Sequence, residues 1–316
     1  MEKIPSVDLR DFLSDNPERK QKFVNEIGKA YEEIGFVALK GHFLDKNLVE
    51  ELYAEVKNFF ELPLPIKQKY EIPNIGGQRG YVGFGKETAK GFKKGDLKEF
   101  WHFGQYLAKD SQYVGQYPEN VKVEELPGFN EIGKKAFKML EKTGQYVLRA
   151  LALYLGLEEF YFDRYIQEGN SILRPIHYPP ITEEPQDAVR AAAHGDINLI
   201  TLLMGAQGRG LQVQNHDGDW IDAIAAPDEL MINVGDMLSR HTNNKLKSTI
   251  HRVVNPPRNT WDTSRYSIPF FLHPVSEMSL NVLGNTVDEQ HPPLYPDTTA
   301  GEFLHERLVE LGLVKK

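Results

Sequence analysis

The chain has 316 residues, a formal net charge of -8, 26% charged and 41% hydrophobic residues, and no cysteine. That composition can bury a sizeable core, while the acidic balance weighs against a nucleic-acid partner, which would favour a basic face. The absence of cysteine excludes disulfides, thiolate metal sites and thiol nucleophiles. With a charged N-terminus and no apolar run long enough for a bilayer, it points to a cytoplasmic protein outside the membrane.

In chain order, Phe23, Ile27, Ala30, Tyr31 and Ile34 recur at three- and four-residue steps, which predicts a helix from Glu18 to Ile34 ended by Gly35. Phe36–Leu39 reads as a short strand before the Gly41-His42 turn. Asp45 is placed to cap a second helix carrying Leu48, Leu52, Val56 and Phe59, closed by Pro63 and Pro65. Residues 74–95 are glycine-rich and lack the Gly-Lys-Ser/Thr of a phosphate loop, so they read as a loop that could serve as a lid over substrate. Residues 1–110 are thus expected to be an N-terminal, mainly helical segment, and a long amphipathic helix follows from about Asn130 to Leu155.

After Ser171 the pattern changes. Short segments rich in Ile, Leu and Val alternate with turns: Ser171–Tyr178, Arg190–His194, Leu199–Met204, Gly210–Gln214, Trp220–Ala223, Glu229–Val234, Lys247–Val254 and Arg265–Leu272. Asp217-Gly218 is a hairpin signal. Short strands at this spacing predict a β-rich domain with a double-stranded β-helix, or distorted jelly-roll, core over 171–274. A C-terminal helix is expected at 299–313, and residues 1–316 form one domain.

His194-Gly195-Asp196 closes one predicted strand. Residues two apart on an extended chain share a face, so imidazole and carboxylate can converge. Such a pair suits Fe(II), Mn(II) or Zn(II) once a second histidine is supplied. Alone the tripeptide is weak, because a chain with 10 histidines produces it readily by chance. His251, in Lys247-Ser-Thr-Ile-His-Arg-Val253, is the expected partner, placed across the mouth of the barrel. His241, among Thr242-Asn243-Asn244, competes for that role but sits in a loop signal. Two histidines and one carboxylate leave open metal positions, whereas a structural zinc site would be closed by a fourth protein ligand.

Arg265 and Ser267, again two apart on a strand, place a guanidinium and a hydroxyl on one face. The planar fork of arginine suits bidentate capture of a carboxylate. Inside a barrel, such an anchor would hold the far end of a dicarboxylate whose near end chelates the metal.

The ordered set His194-Gly-Asp-Ile-Asn-Leu-Ile-Thr-Leu-Leu203, Gly210-Leu-Gln-Val213, Asn233-Val-Gly-Asp236, Lys247–Val253 and Arg265-Tyr-Ser-Ile-Pro-Phe-Phe271 resembles the isopenicillin N synthase-like branch of the 2-oxoglutarate and Fe(II)-dependent oxygenases. Ile4-Pro-Ser-Val-Asp8 and Gly35-Phe36 are similar to its N-terminal segment. The resemblance implies iron ligands at His194, Asp196 and His251, with Arg265, Ser267 and Tyr178 on the 2-oxoglutarate. It also implies substrate contacts near Arg79, Tyr81 and Phe271. The segment Val253–Ser264, with Pro256-Pro257 and Trp261, looks slightly longer than is usual in this branch.

The expected function is therefore a dioxygenase that uses Fe(II), 2-oxoglutarate and O2 to oxidise, most simply to hydroxylate, a small organic metabolite with release of succinate and CO2. Three other readings stand beside it: an Fe(II) oxidase of the same family that takes no 2-oxoglutarate, a non-catalytic barrel that binds a small ligand, and a zinc hydrolase. An assay for succinate, with and without added 2-oxoglutarate, separates the dioxygenase from the oxidase, and iron-dependent O2 uptake would exclude the non-catalytic barrel. The zinc reading needs a general acid or base beside the metal, and no motif signals one. The sequence carries no signal for an oligomeric state.

Overall fold

The helical periods of the sequence become three long helices, Pro17–Glu33, Lys46–Glu61 and Pro127–Tyr154, in a computed structural model that describes residues 3–87, 95–185, 188–204 and 210–310. The first begins where Asn16 accepts hydrogen bonds from the amides of Glu18 and Arg19, with Pro17 at the first helical position. The second begins where Asp45 accepts from the Leu48 amide at 2.8 Å. All three turn their apolar faces onto one core. Gly133 permits the closest approach of helix to sheet, because a Cβ there would sit 2.4 Å from the Phe103 ring.

The strands, in chain order, are β1 (Ser6–Asp8), β2 (Phe36–Lys40), β3 (Gly80–Val82), β4 (Glu99–Gly104), β5 (Ile172–Leu173), β6 (Ile176–Tyr178), β7 (Ala191–His194), β8 (Ile200–Met204), β9 (Leu211–Gln214), β10 (Trp220–Asp222), β11 (Leu230–Val234), β12 (His251–Val253) and β13 (Arg265–Leu272). Nine of them build one sheet in the order β1-β2-β11-β8-β13-β5-β4-β3, with β6 paired to both β13 and β4. The other four form a second sheet in the order β10-β9-β12-β7. This is the expected jelly-roll core, flanked by helices on the large sheet.

The eight-residue strand β13 explains why the barrel has a polar inside and a greasy outside. Ile268, Phe270 and Leu272 belong to the main core, and Phe270 meets Phe137 of the long helix edge-on at 4.9 Å. Arg265, Ser267 and Phe271 occupy the alternate positions and so share the other face.

Two expectations shift. Residues 1–110 are not simply helical: they supply β1 to β4, and β2 pairs with β11 in the large sheet. Of these β2 matches the short strand expected at Phe36–Leu39, while β1, β3 and β4 run for six residues or fewer and leave little local pattern. The single strand read over Ser171–Tyr178 is split into β5 and β6 at Arg174-Pro175, where proline has no amide to donate. The Asp217-Gly218 turn does join β9 to β10, with Gly218 at φ +86°. The helix expected at 299–313 is described over Ala300–Glu310.

Candidate metal centre and cosubstrate pocket

His194 and His251 are direct cross-strand partners on β7 and β12 of the small sheet, rather than facing each other across the barrel mouth. Their rings lie 4.5 Å apart between centroids. Asp196 comes two residues after the end of β7 and turns back to them, with its Oδ1 3.9 Å from His194 Nε2 and 3.8 Å from His251 Nε2. The potential ligand atoms of all three residues lie within 4.8 Å of one another, and among the described residues no fourth His, Asp or Glu joins the group. That is a facial set of two nitrogens and one oxygen with open positions.

Each side chain presents a single free ligand atom because its other polar atom is already engaged. His194 Nδ1 lies 2.7 Å from Ala192 O, and His251 Nδ1 lies 3.3 Å from Thr249 O. With the proton on Nδ1, both rings turn Nε2 to the common point. Asp196 Oδ2 accepts from Thr201 Oγ1 at 2.7 Å and from Asn233 Nδ2 at 2.8 Å, which leaves Oδ1 to the centre. Burial opposes ionisation of Asp196, but the two imidazoles and these hydrogen bonds outweigh it and hold the carboxyl below its ordinary value. The His194 pKa is pushed down to about 4, first by desolvation and then by His251, although 41% of its side-chain surface remains open to the pocket. Two imidazole nitrogens and one carboxylate oxygen converging on a common point are donors a divalent cation takes, so the donor set fits Fe(II).

Thr201 and Asn233 were not singled out from the sequence. They are paired in register on β8 and β11. The available signal was a polar residue inside each of two otherwise apolar buried strands, Ile200-Thr-Leu-Leu-Met204 and Leu230-Met-Ile-Asn-Val234.

Arg265 is 3% exposed and stands directly across from Tyr178, its Cζ 4.9 Å from the centre of that ring. Its Nε and Nη1 are buried without a hydrogen-bond partner among the described residues. Ser267 lies buried on the same face of β13, across from Ile176. A guanidinium that is buried and underbonded fits a carboxylate ligand. Tyr53, from the helix Lys46–Glu61, also lies within electrostatic reach of Arg265, and burial raises its pKa. Lys98 is within electrostatic reach of both Tyr178 and His194. It is paired with Glu87 at 2.6 Å and Asp96 at 2.8 Å.

The remaining expected contacts separate. Phe271 lies on the inward face of β13 beneath the Arg174 guanidinium, at 5.0 Å, and Phe100 takes the same guanidinium at 4.6 Å. Arg79 is 1% exposed, packed against Gly104, and donates to Gln78 O and Asn170 Oδ1. The structure takes Tyr81 away from the pocket: it is buried in the helix-side core against Phe59, and its hydroxyl donates to Glu99. His241 is likewise not in a loop. It ends the short helix Asp236–His241 and is bonded to Tyr161 and Asn281, away from the ligand group. Of the glycine-rich stretch 74–95, part is β3, and residues 88–94 lie outside the described residues.

Residues 4–125 match the family described as non-haem dioxygenase in morphine synthesis N-terminal, and residues 169–274 match the 2OG-Fe(II) oxygenase superfamily. The chain is 32% identical over 329 residues to the 2-oxoglutarate-dependent dioxygenase frbA of Dothideomycetidae sp. (strain 11243), covering 97% of this chain and 96% of that protein. Among solved structures it is similar to a 2OG-Fe(II) oxygenase family protein from Caulobacter crescentus, at 42% identity and TM-score 0.89, covering 98% and 100% of the two chains. It is also similar to a full-length protein of Neurospora crassa solved in complex with alpha-KG and thymine, at 29% identity and TM-score 0.85, covering 97% and 96%. The chain belongs to the 2OG-Fe(II) oxygenase superfamily, in its isopenicillin N synthase-like arrangement. It is an oxidoreductase, a dioxygenase whose cofactor is Fe(II) and whose cosubstrates are 2-oxoglutarate and O2.

Proposed function

We propose that His194, Asp196 and His251 hold the iron, that Arg265, Ser267 and Tyr178 hold the distal carboxylate of 2-oxoglutarate, and that the enzyme hydroxylates a small organic metabolite. The observation that carries this reading is the pairing of two incomplete sites inside one barrel. One is a cluster of three free ligand atoms; the other is a buried guanidinium with unmade hydrogen bonds. When bound, the iron couples oxidative decarboxylation of 2-oxoglutarate to insertion of oxygen into a nearby C–H bond.

The chain's own residues do the positioning. Thr201 and Asn233 aim the carboxylate, while the Ala192 and Thr249 carbonyls set the imidazole tautomers. Arg265 orients the cosubstrate from its far end, and the Tyr178 ring beneath it keeps the charge away from water. Phe271, braced by Arg174, offers an apolar wall for the substrate, and Arg79 is kept as a further candidate substrate contact. The Neurospora relative, described with thymine, supports a substrate of small-molecule size. A cytoplasmic setting goes with the cysteine-free composition.

The test is a metabolite screen for substrate-stimulated succinate release with Fe(II) and 2-oxoglutarate in air, followed by mass analysis under 18O2. The reading expects a product heavier by one labelled oxygen. Stimulated succinate with a product lighter by two hydrogens would replace hydroxylation by desaturation.

A further inference from the structure

Arg190 stands immediately ahead of β7, four residues before His194, and nothing in the sequence marks it as part of a site. It is 3% exposed. Its Cζ lies 5.8 Å from the centre of the Tyr178 ring, the same ring that carries Arg265 at 4.9 Å. Its Nη2 donates to Thr263 O at 3.3 Å, two residues before Arg265. Its Nε, like Nε and Nη1 of Arg265, is buried with no partner, and among the described residues neither arginine makes an ion pair with a carboxylate. Two guanidinium groups therefore share one aromatic ring in the interior with no counter-charge.

Such an arrangement is costly as it stands. An unpaired buried ion remains strongly disfavoured even after relaxation, and a cation–π contact offsets only a small part of that cost. The two cations also repel each other, and burial together with Arg265 pushes the Arg190 pKa down to about 10. A bound anion removes all of these costs together. A carboxylate has two oxygens and about four acceptor sites, more than one guanidinium fork can fill, and the unmade N–H groups here come from two forks.

We propose that Arg190 is a second anchor for the distal carboxylate of 2-oxoglutarate, gripping it together with Arg265 beside the Tyr178 ring. This rests on the reading of Arg265 as the cosubstrate anchor and extends it from one cation to two. Arg190 acts by binding and positioning; it does not touch the reacting atoms.

The probe is glutarate, a dicarboxylate without the keto group, so that it reports the anion pocket independently of metal chelation. It is titrated calorimetrically into the metal-free protein, and the KM for 2-oxoglutarate is measured on the iron-loaded enzyme. Arg190→Gln should weaken glutarate binding by about tenfold or more, the scale of one lost hydrogen bond to a charged group. It should raise KM by a similar factor with a much smaller change in kcat, and Arg190→Lys should recover part of the affinity. If Arg190→Gln keeps glutarate affinity within about twofold of the parent while Arg265→Gln loses it, Arg190 is only a brace for the Thr263 carbonyl and the proposal fails alone. If neither variant changes affinity, the reading of Arg265 fails as well. Should Arg190→Gln not fold, the arginine Nε–H resonances of the parent protein decide. Glutarate should shift both the Arg190 and the Arg265 signals, and an unmoved Arg190 signal overturns the proposal.

Discussion

The paired strands β6 and β13 carry two buried charged clusters, one on each face, and the two are built in opposite ways. On the helix side, Glu99 receives Lys67 at 2.8 Å, His177 at 2.7 Å and the Tyr81 hydroxyl, while Lys67 also donates to the Phe60 carbonyl. The His177 ring stacks on Tyr266 at 4.8 Å. Every charge there meets its opposite. On the barrel side, one residue along each strand, Arg265 faces Tyr178 with two N–H groups unmade, and Arg190 adds another. Burial of charge is common to both clusters; completeness separates them. A satisfied cluster is architecture, and an unsatisfied one is a place for a ligand.

That contrast can be broken or sharpened experimentally. The largest effect should come from the metal centre, which supplies the other end of the cosubstrate's grip. Asp196→Ala is expected to abolish Fe(II)-dependent succinate release, and release at the parent rate would remove Asp196 from the ligand set. Next, Arg265→Gln should raise the KM for 2-oxoglutarate by roughly 30-fold or more, since truncating one side of a buried charge pair costs about 2–5 kcal/mol. Its melting temperature without cosubstrate should stay level or rise, because an uncompensated charge has been removed. A large drop in melting temperature would mean that Arg265 is architecture after all.

Lys67→Met should behave in the opposite way. It breaks a complete pair, so it is expected to cost about 3 kcal/mol of stability in a denaturant melt while leaving the KM for 2-oxoglutarate near the parent value. A change in KM without loss of stability would erase the distinction between the faces. Burial resists ionisation of Glu99, but His177, Lys67 and Tyr81 outweigh it and lower its pKa. Its contribution is therefore present at neutral pH and lost as pH falls through that lowered value, and acid melts of Lys67→Met should show a weaker loss.

Thr201→Val should weaken metal affinity by about 10- to 100-fold, as outer partners of ligands do, measured by competition with a chelator. The smallest effect expected is that of Tyr81→Phe, about 1.5 kcal/mol from one hydrogen bond to a charged group, with no change in cosubstrate binding.

Much of the candidate site was legible in the chain because its proposed chemistry resides in short-range pattern. His194-Gly-Asp196 and Arg265-Tyr-Ser267 each put two functional groups on one side of the backbone, and the residue types name their ligands. The long helices were legible for a similar reason, since a face repeating every three or four residues needs no distant partner to declare itself. Tyr81 misled because a tyrosine in a glycine-rich stretch looks the same whether its hydroxyl meets a substrate or Glu99.

What the sequence by itself determined is the jelly-roll class, and it nominated the residues proposed here as metal-binding set and cosubstrate anchor, since each is written in residue type and local period. What only the tertiary structure decided is which distant groups complete or fail to complete one another. The pairing of β2 with β11 made N-terminal residues part of the sheet, Thr201 and Asn233 converged on one carboxylate oxygen, and Arg190 arrived beside Arg265 with no acid paired to either among the described residues. Those relations depend on hydrogen bonds and charges between residues far apart in the chain, and no local pattern encodes which of them will meet.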